Sequence, residues 1–195
     1  MESTKKEVLI EKTLDYFLKY GTRNITMDDL AVQFGVSKKT LYSLFRNKEE
    51  LLKESIALLW SNYLKEVNSI LVSAKNPLIQ LIETYSLAIE YVRAFDPIFL
   101  YTLKKYHQPV LAEYDCYKVH MRNNIILPLL EEAQEKGYIE QSINLDFFAT
   151  INFDDLEEKL LAKDIFEKYA NEEIMQYYIV LKLKGIVKIE FHTLF

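Results

Sequence analysis

The chain contains very little cysteine, glycine and proline. Its 195 residues include one cysteine, four glycines and four prolines. The single thiol, Cys116, excludes an intramolecular disulfide and fits a reducing compartment. Because turn-forming residues are scarce and do not flank any alternating apolar and polar pattern, β-structure is disfavoured. The sequence therefore predicts an all-α protein.

Long apolar runs and a positive net charge are also absent from the sequence. No apolar stretch approaches the roughly 20 residues of a membrane span, and the first residues, MESTKKEVLIEK, carry charge at every turn, unlike a signal peptide. The formal net charge of -5 argues against a protein that coats nucleic acid. We expect a soluble, cytoplasmic protein without a membrane partner.

The stretch from Thr26 to Leu51 combines helix caps with helical apolar spacing. Thr26 and Asp29 form a capping-box pattern, Gly35 suits a chain leaving a helix with positive φ, and Ser37 can cap a second helix. The apolar spacing predicts that the second helix buries one face and projects the other outward. The outward residues are Lys38, Lys39, Thr40, Tyr42 and Ser43.

Charge is distributed unevenly within this segment. From Gly35 to Lys48 the sequence contains Lys38, Lys39, Arg46 and Lys48 but no acidic residue. The positive field is thus confined to a helix that could enter a major groove and to a turn that could lie over phosphates. The alternative is a solvated, lysine-rich surface helix in an ordinary helical bundle.

The segment GVSKKTLYSLFRNKEELL resembles the signature of the TetR family of bacterial transcriptional regulators. In that family the recognition helix and the start of the fourth helix follow the pattern VS-x-x-T-L/I-Y-x-x-F-x-N/S-K-E-x-L, which Val36 to Leu51 match. Lys39 stands where many members carry glycine, and Leu44 where many carry histidine or tyrosine. The segment LEEAQEKGYI, residues 130–139, also resembles the end of the family's seventh helix.

The resemblance implies an N-terminal three-helix DNA-binding domain with a helix-turn-helix, residues 1–50, and a larger helical ligand-binding and dimerisation domain, residues 51–195. Its implied partners are double-stranded operator DNA, a small-molecule effector and a second copy of the chain. We expect Lys48 and Tyr42 to contact phosphates, and Lys38, Lys39 and Thr40 to reach base edges. The candidate DNA-binding residues are Thr26, Ser37, Lys38, Lys39, Thr40, Tyr42 and Lys48.

Apolar spacing and breakers predict the remaining helices. The predicted spans are about Lys5 to Tyr20, Asn47 to Val72, Pro77 to Phe95, Pro97 to Tyr106, Pro109 to Lys136, Leu145 to Ala162 and Glu172 to His192. Pro128 should kink the helix that contains it, because proline removes a backbone donor. Gly137 should close that helix, and Asn171 should cap the last one.

Tyrosine is concentrated in the larger domain. Eleven of the fourteen tyrosines lie beyond residue 50. A buried tyrosine hydroxyl needs a hydrogen-bond partner, so this abundance suggests a cavity with polar groups that suits an apolar or aromatic compound. Ordinary core packing is the alternative for each ring. The candidate ligand-binding residues are Trp60, Tyr63, Tyr85, Phe99, Tyr114, Tyr117 and Met121.

The last predicted helix carries apolar residues on more than one face, so it has to be covered on two sides. The family resemblance implies that the last two helices form a four-helix dimer interface. Gly185 is expected in the helix interior, where another backbone would cross closely. The candidate interface residues are Phe148, Ile174, Tyr178, Leu181, Gly185 and Ile189.

Signals for catalysis or for a metal are weak. Glu113, Cys116 and His120 share one helical face and could offer ligands to a soft metal, but such residues are commonplace on surface helices. The sequence contains no Ser-His-Asp order and no glycine-rich phosphate loop. We expect no metal, no cofactor and no enzymatic activity. Two functions remain: a dimeric transcriptional regulator, most simply a repressor, released from palindromic DNA by an effector, or an all-helical small-molecule carrier or interaction protein without DNA binding.

Overall fold

The computed structural model describes residues 2–73, 75–154, 156–161 and 164–194. The α-helices, in chain order, are α1 Glu2–Tyr20, α2 Met27–Gln33, α3 Lys38–Leu44, α4 Lys48–Leu71, α5 Pro77–Arg93, α6 Pro97–Tyr106, α7 Gln108–Met121, α8 Leu127–Glu135, α9 Leu145–Phe153, α10 Leu156–Leu161, α11 Ile165–Lys168, α12 Asn171–Met175 and α13 Leu181–Lys184. Two π-helical turns, Arg122–Ile126 and Gln176–Val180, and a 3₁₀ helix, Ile189–Leu194, complete the helical structure. The described residues contain no β-strand, so the all-α prediction is confirmed.

The chain forms two compact units. The first comprises Met1–Asn62 with Ala94–Cys116, and the second comprises Tyr63–Arg93 with Tyr117–Phe195. These divisions fall inside α4 and α7 rather than at residue 50, and α6 belongs to the same unit as the N-terminal helices. Within the described residues, no helix has both the length and the apolar character that crossing a membrane requires.

The first unit is built by local signals that the sequence displays. Gly21 ends α1 and Gly35 ends α2, with φ of 70° and 65°, conformations that cost a residue with a Cβ about 1–2 kcal/mol. Thr26 caps α2 and Ser37 caps α3, as predicted. The apolar faces of α1 to α4 meet in one core, whose buried members include Leu14, Phe17, Leu18, Leu30, Ala31, Leu41, Phe45, Leu51, Leu52 and Ile56.

Helix α6 is attached to the end of α1, a contact that the sequence did not indicate. The Asp96 N–H donates to the Leu18 carbonyl at 2.9 Å. The Thr22 N–H donates to the buried Thr102 hydroxyl oxygen at 2.9 Å, and the Thr22 hydroxyl lies 3.1 Å from the same atom. Since these groups are buried and paired, they fix the position of α6 on α1.

In the second unit, α5 packs against α8, α10 and α12. Arg93, at the end of α5, binds α11 and the segment that follows it. Its guanidinium donates to the Phe166 carbonyl at 3.1 Å, the Tyr169 carbonyl at 3.0 Å and the Asn171 side-chain oxygen at 2.7 Å. A planar guanidinium suits this arrangement because its donors point along fixed directions.

The predicted helix from Pro109 to Lys136 is wrong in one respect. It begins at Gln108 and is interrupted by the π-helical turn Arg122–Ile126. Pro128 has no N–H, so the ordinary bond to the carbonyl four residues earlier cannot form there. The Leu127 N–H instead donates to the Arg122 carbonyl, five residues back. The predicted end is confirmed, since α8 stops at Glu135 and Gly137 has a φ of 79°.

The predicted helix from Leu145 to Ala162 is also interrupted. The structure has α9 and α10 in this region, and Asn144 caps α9 by accepting from the Phe147 N–H at 2.9 Å. The predicted endpoint, Ala162, lies outside the described residues.

The last predicted helix differs more from the structure. Its N-cap is Ala170 rather than Asn171, because the Asn171 side chain accepts from Arg93. It ends at Lys184, so Gly185 lies at a helix end, with a φ of -67°, rather than in the helix interior. Beyond it the Lys188 N–H donates to the Tyr138 carbonyl at 2.9 Å. Pairing with the segment after α8 therefore replaces the last predicted helical turns.

The two glycines at the ends of α1 and α2 provide a matched test of packing in the first unit. A Cβ on Gly21 would lie 3.1 Å from both Ile98 Cγ1 and Thr102 Oγ1, whereas one on Gly35 would meet nothing within 4 Å. Gly35→Ala should cost about 1–2 kcal/mol for the positive φ. Gly21→Ala should cost about 1–3 kcal/mol more, because α6 has to move. Urea unfolding measures both, and equal losses would contradict the α1–α6 contact.

Candidate nucleic-acid interface

The first helix of the helix-turn-helix is fixed by a reciprocal cap. Thr26 Oγ1 accepts from the Asp29 N–H at 3.1 Å, and the Thr26 N–H donates to Asp29 Oδ2 at 2.8 Å. The hydrogen bond from the Thr26 hydroxyl lowers the pKa of the Asp29 carboxyl. Thr26 is exposed, so it serves as the cap and still lies on the surface of α2.

The second helix is capped in a similar manner. Ser37 Oγ accepts from the Thr40 N–H at 3.0 Å and lies 2.8 Å from the Thr40 hydroxyl. Both hydroxyl groups are thereby held at the start of α3. This pairing fixes the orientation of the exposed face that follows.

The outer face of α3 presents Lys39 and Tyr42, and Arg46 follows the helix end. All three are exposed. Neither Lys39 nor Arg46 forms an ion pair with another described side chain. These two cations are therefore available to an external anion, as the sequence predicted for this face.

Lys38 differs from this expectation because it is paired with an acid. Its ammonium forms a salt bridge with Asp28, in α2. The hydrogen bond to Asp28, followed by the charge of that carboxylate, raises the pKa of Lys38. Both side chains are exposed, so solvent and salt screen the pair. The acid-free run in the sequence is thus partly neutralised in space by the preceding helix.

Lys48 forms hydrogen bonds within the chain that the sequence did not predict, and its phosphate contact stays a prediction. Its Nζ donates to the Thr22 carbonyl at 2.6 Å and to the Ile25 carbonyl at 2.8 Å. These carbonyls lie in the loop between α1 and α2, outside helical pairing. Burial lowers the pKa of the ammonium. Two of its three donors hold the loop that leads to Thr26, so Lys48 is a positioning residue.

Three of the predicted ligand-binding residues belong to the first unit and are buried there. The Trp60 and Tyr114 rings meet edge to face, with centroids 5.5 Å apart and planes at 62°. The Phe99 ring is fully buried and lies 5.5 Å from the Phe95 ring. These rings are buried within this unit, and the ligand contact predicted for them stays a prediction.

The other four candidates belong to the second unit. Tyr63, Tyr85 and Met121 are buried, and Tyr117 is half-buried. The Tyr63 hydroxyl donates to the Thr84 carbonyl at 3.3 Å. Burial raises the pKa of the phenols of Tyr63 and Tyr85, so both stay protonated and can donate hydrogen bonds.

Tyr91 joins this group although it was not among the candidates. Its ring centroid lies 5.1 Å from that of Tyr63, and its hydroxyl donates to Glu66 at 2.6 Å. Tyr63 and Glu66 are three residues apart on α4, a spacing that places both on one side of a helix. The three-residue spacing of Tyr63 and Glu66 was therefore the sequence signal that could have indicated a carboxylate partner for a tyrosine packed against Tyr63.

The predicted interface residues are divided between the core and the surface of the second unit. Phe148 and Ile174 are buried within their own chain, and Tyr178 is half-buried. Leu181, Gly185 and Ile189 are exposed. The buried positions Ile174, Ile179 and Leu183 are separated by five and then four residues. The π-helical turn inserts the extra residue, so a regular 3.6-residue period assigns the wrong face.

Four apolar residues are exposed on α9, on the π-helical turn Gln176–Val180 and at the start of α13. We call these four residues the outer apolar face. Their exposed fractions are 61% for Phe147, 52% for Ile151, 68% for Tyr177 and 47% for Leu181. Lys182 Nζ lies 3.5 Å from the Asn152 carbonyl, so α9 and α13 are neighbours. Sequence reasoning missed Phe147, Ile151 and Tyr177, although Ile151 follows Phe147 by four residues, as Leu181 follows Tyr177.

The weak metal pattern is not assembled in the described part of the chain. No group of three His, Cys, Asp or Glu side chains there could hold a metal ion. Glu113 instead forms an ion pair with Lys53 of α4 at 2.7 Å. Cys116 is exposed.

Comparison with known proteins agrees with the helix-turn-helix geometry. The family model described as "Bacterial regulatory proteins, tetR family" matches residues 9–55, from α1 into the start of α4. This N-terminal segment is a helix-turn-helix of the TetR type.

Two similar proteins are regulators of this helix-turn-helix type. The uncharacterized HTH-type transcriptional regulator YhgD of Bacillus subtilis is 28% identical over 108 residues, which cover 55% of this chain and 54% of YhgD. The HTH-type transcriptional regulator BetI of Agrobacterium fabrum is 30% identical over 77 residues, covering 40% and 37% of the two chains. The chain thus spans about half the length of YhgD, and less of BetI.

Solved structures extend the similarity to nearly the whole chain. The fatty acid degradation regulator FadR from Bacillus halodurans has a TM-score of 0.73 and 20% sequence identity, and the alignment covers 93% of this chain and 95% of FadR. At this identity the similarity shows the fold alone, and it covers the chain beyond residue 55.

The role of Lys48 is tested by its removal. Lys48→Met loses two charge-assisted hydrogen bonds and leaves two loop carbonyls without this donor, so it should cost roughly 2 kcal/mol of stability. Lys39→Met, an exposed lysine on α3, should change stability by less than about 0.5 kcal/mol. Chemical denaturation followed by circular dichroism gives both values. If the two variants were equally stable, Lys48 would not anchor the loop.

Proposed function

We propose that this protein is a ligand-responsive transcriptional regulator of the TetR family that binds double-stranded DNA through α3. The observation that carries the proposal is the exposed cationic surface of α3 and the residues just after it, where neither Lys39 nor the Arg46 guanidinium forms an ion pair with a described side chain. The net charge of the whole chain is -5, so this exposed positive surface is a local exception. A small helix with such a face fits a major groove.

The proposed contacts follow from what each side chain already binds. Lys39 and Thr40 reach base edges, whereas Thr26 and Tyr42 contact phosphates. Lys38 gives up its pairing with Asp28 when DNA approaches, so it contributes less than Lys39. Arg46 supplies a further phosphate contact with its forked donors. Lys48 acts indirectly, because it positions the loop before Thr26.

We further propose that the protein binds palindromic DNA as a dimer. A single helix-turn-helix makes few base contacts, and two copies reading half-sites about 34 Å apart match a two-fold protein to a two-fold operator. The outer apolar face of Phe147, Ile151, Tyr177 and Leu181 is the surface that a second copy would cover. Exposed apolar residues grouped on neighbouring helices typically mark such interfaces.

Release from DNA is proposed to follow effector binding in the second unit, near Tyr63 and Tyr85. These phenols are buried, and burial raises the pKa of each so that it stays a protonated donor, which suits an apolar or aromatic compound with one or two polar groups. Tyr63 lies on α4, and the same uninterrupted helix begins at Lys48. A shift of α4 would therefore disturb the anchored loop, and release would make the protein a repressor.

A carrier protein without DNA binding is the second candidate. The observation in its favour is the Lys38–Asp28 salt bridge, which makes the surface of α3 less positive than its sequence. Under this hypothesis Lys39 and Arg46 are simply solvated. DNA binding by the purified protein distinguishes the two functions.

Gel shifts on the DNA upstream of the protein's own gene test the DNA-binding proposal. The parent should bind this DNA with an affinity that falls steeply with salt. Lys39→Ala should weaken binding roughly tenfold and change base preference, since a base contact contributes about 1–3 kcal/mol. Lys12→Ala, which removes an exposed lysine of α1, is the control. An unaltered affinity in Lys39→Ala would remove α3 from the interface.

Sedimentation analysis tests the dimer. Leu181→Glu places a charge on the outer apolar face and should convert a dimeric parent into a monomer. Val119→Glu, at an apolar position of α7 that is 55% exposed, should leave the dimer intact. A monomeric parent, or a dimer that survives Leu181→Glu, would exclude this face.

Coupling between effector and DNA has a reciprocal test. An inducing compound should weaken DNA binding by roughly 5- to 150-fold, and DNA should weaken binding of the compound by the same factor. Trp60, which packs against Tyr114 in the first unit, provides the fluorescence signal for titration. An inducer with the same affinity for the free and the DNA-bound protein would contradict this mechanism.

A further inference from the structure

A second group of exposed cations lies at the end of α6 and in the loop between α1 and α2. The Arg23 guanidinium is 5.0 Å from the centroid of the Tyr106 ring. Lys105 Nζ donates to the Tyr101 hydroxyl at 2.9 Å and lies 5.6 Å from the Tyr106 ring centroid. All four side chains are exposed. We call Arg23, Tyr101, Lys105 and Tyr106 the tyrosine–cation patch.

The surroundings of this patch are free of acidic residues in the sequence. The chain has 29 acidic and 24 basic residues, yet Tyr16–Met27 and Pro97–Ala112 contain none that is acidic. Neither Arg23 nor Lys105 forms an ion pair with the side chains that the structure describes. Because neither cation of the patch is paired with a described carboxylate, the patch complements an anion.

The position of the patch relates it to the proposed DNA surface. Arg23 lies in the loop whose carbonyls, those of Thr22 and Ile25, accept from Lys48. The same loop is bonded to α6 through Thr102. Thr26, the N-cap of α2, follows Arg23 by three residues, and three residues span at most about 10 Å. The patch thus adjoins the N-terminus of α2.

The chemistry of the patch suits phosphate groups. A guanidinium binds phosphate with two parallel hydrogen bonds, and a tyrosine hydroxyl commonly contacts the DNA backbone. Both cations lie against the Tyr106 ring at the surface. Tyr101 and Tyr106 are exposed, so core packing does not explain these two phenols. Ordered cations lose less conformational entropy when they bind.

We propose that the tyrosine–cation patch binds the phosphate backbone of DNA that flanks the half-site read by α3. The inference rests on the proposed function and enlarges its footprint beyond the helix-turn-helix. Arg23 and Lys105 each contact one phosphate per protomer. An acidic protein partner would use the same charges, but the bonded connection between this loop and the start of α2 favours DNA.

The experiment uses a duplex that the full-length parent selects from a random pool. The duplex is prepared in two lengths, one limited to the selected bases and one extended by ten base pairs at each end. The patch variant carries both Arg23→Gln and Lys105→Gln. The control variant carries both Lys65→Gln and Lys168→Gln, which remove two exposed lysines from the second unit. Fluorescence anisotropy gives the affinity of each protein for each duplex across a salt series.

The parent and the control should bind the extended duplex more tightly than the short one. The patch variant should lose this advantage and keep the affinity for the short duplex. Its slope of log affinity against log salt on the extended duplex should fall by roughly 0.9 for each lost phosphate contact, or about two units per protomer. The single variant Lys105→Gln should show about half of the fall in salt slope. Because this substitution leaves the loop between α1 and α2 intact, it controls for misfolding of the double variant.

Three outcomes would overturn the inference. If patch variant and control behave alike on the extended duplex, the patch does not contact DNA, and an acidic protein becomes the better partner. If the patch variant weakens binding equally on both lengths, the contact is not to flanking DNA. If the parent selects no duplex, the proposed function itself fails and this extension of it fails too, a result distinguishable from the other two.

Discussion

The ammonium of Lys48 is shared between two backbone carbonyls of one loop, and the helix-turn-helix depends on that arrangement. The carbonyls of Thr22 and Ile25 lie 2.6 and 2.8 Å from Nζ. Immediately after them, Thr26 caps α2. The loop is bonded on its other side to Thr102 of α6. The orientation of α2, and through it of α3, is thus set by one cation at the start of α4 and one hydroxyl of α6.

Helices α4 and α6 thus both bond to the loop between α1 and α2, which leads to the proposed DNA-binding face. A displacement of either helix would strain the same four-residue loop, because its polar groups are paired and costly to leave unpaired. The proposed effector response requires such a connection, since a ligand acts only through a difference in affinity between two arrangements. The proposed flanking contact at Arg23 uses the same loop.

Local features of the sequence predicted the fold well. The capping box of Thr26 and Asp29, the cap at Ser37 and the positive φ at Gly35 depend on residues at most three positions apart, and each is present. The signature from Val36 to Leu51 lies within residues 9–55, the segment that the TetR-family model matches. These features succeed because the backbone conformation they require is determined by near neighbours.

Features that join distant residues could not be predicted in this way. Lys48 contacts carbonyls more than twenty positions earlier, and Lys38 pairs with an acid ten positions earlier, so an acid-free run in sequence is not an acid-free surface. The π-helical turn at Gln176–Val180 shifts the helical period by one residue. Across that turn the buried side continues from Ile174 to Ile179 and Leu183, and Tyr177 and Leu181 are exposed.

Hydrogen–deuterium exchange of the full chain, with and without a duplex selected by the protein, tests the central claim most directly. The claim is that α3 meets DNA while the Lys48-anchored loop holds it in place. DNA should slow exchange in α3, in the loop from Thr22 to Ile25 and at the start of α4, and leave α10 unchanged. Protection absent from α3, or present in α3 while the loop exchanges as fast as in the free protein, would contradict the account.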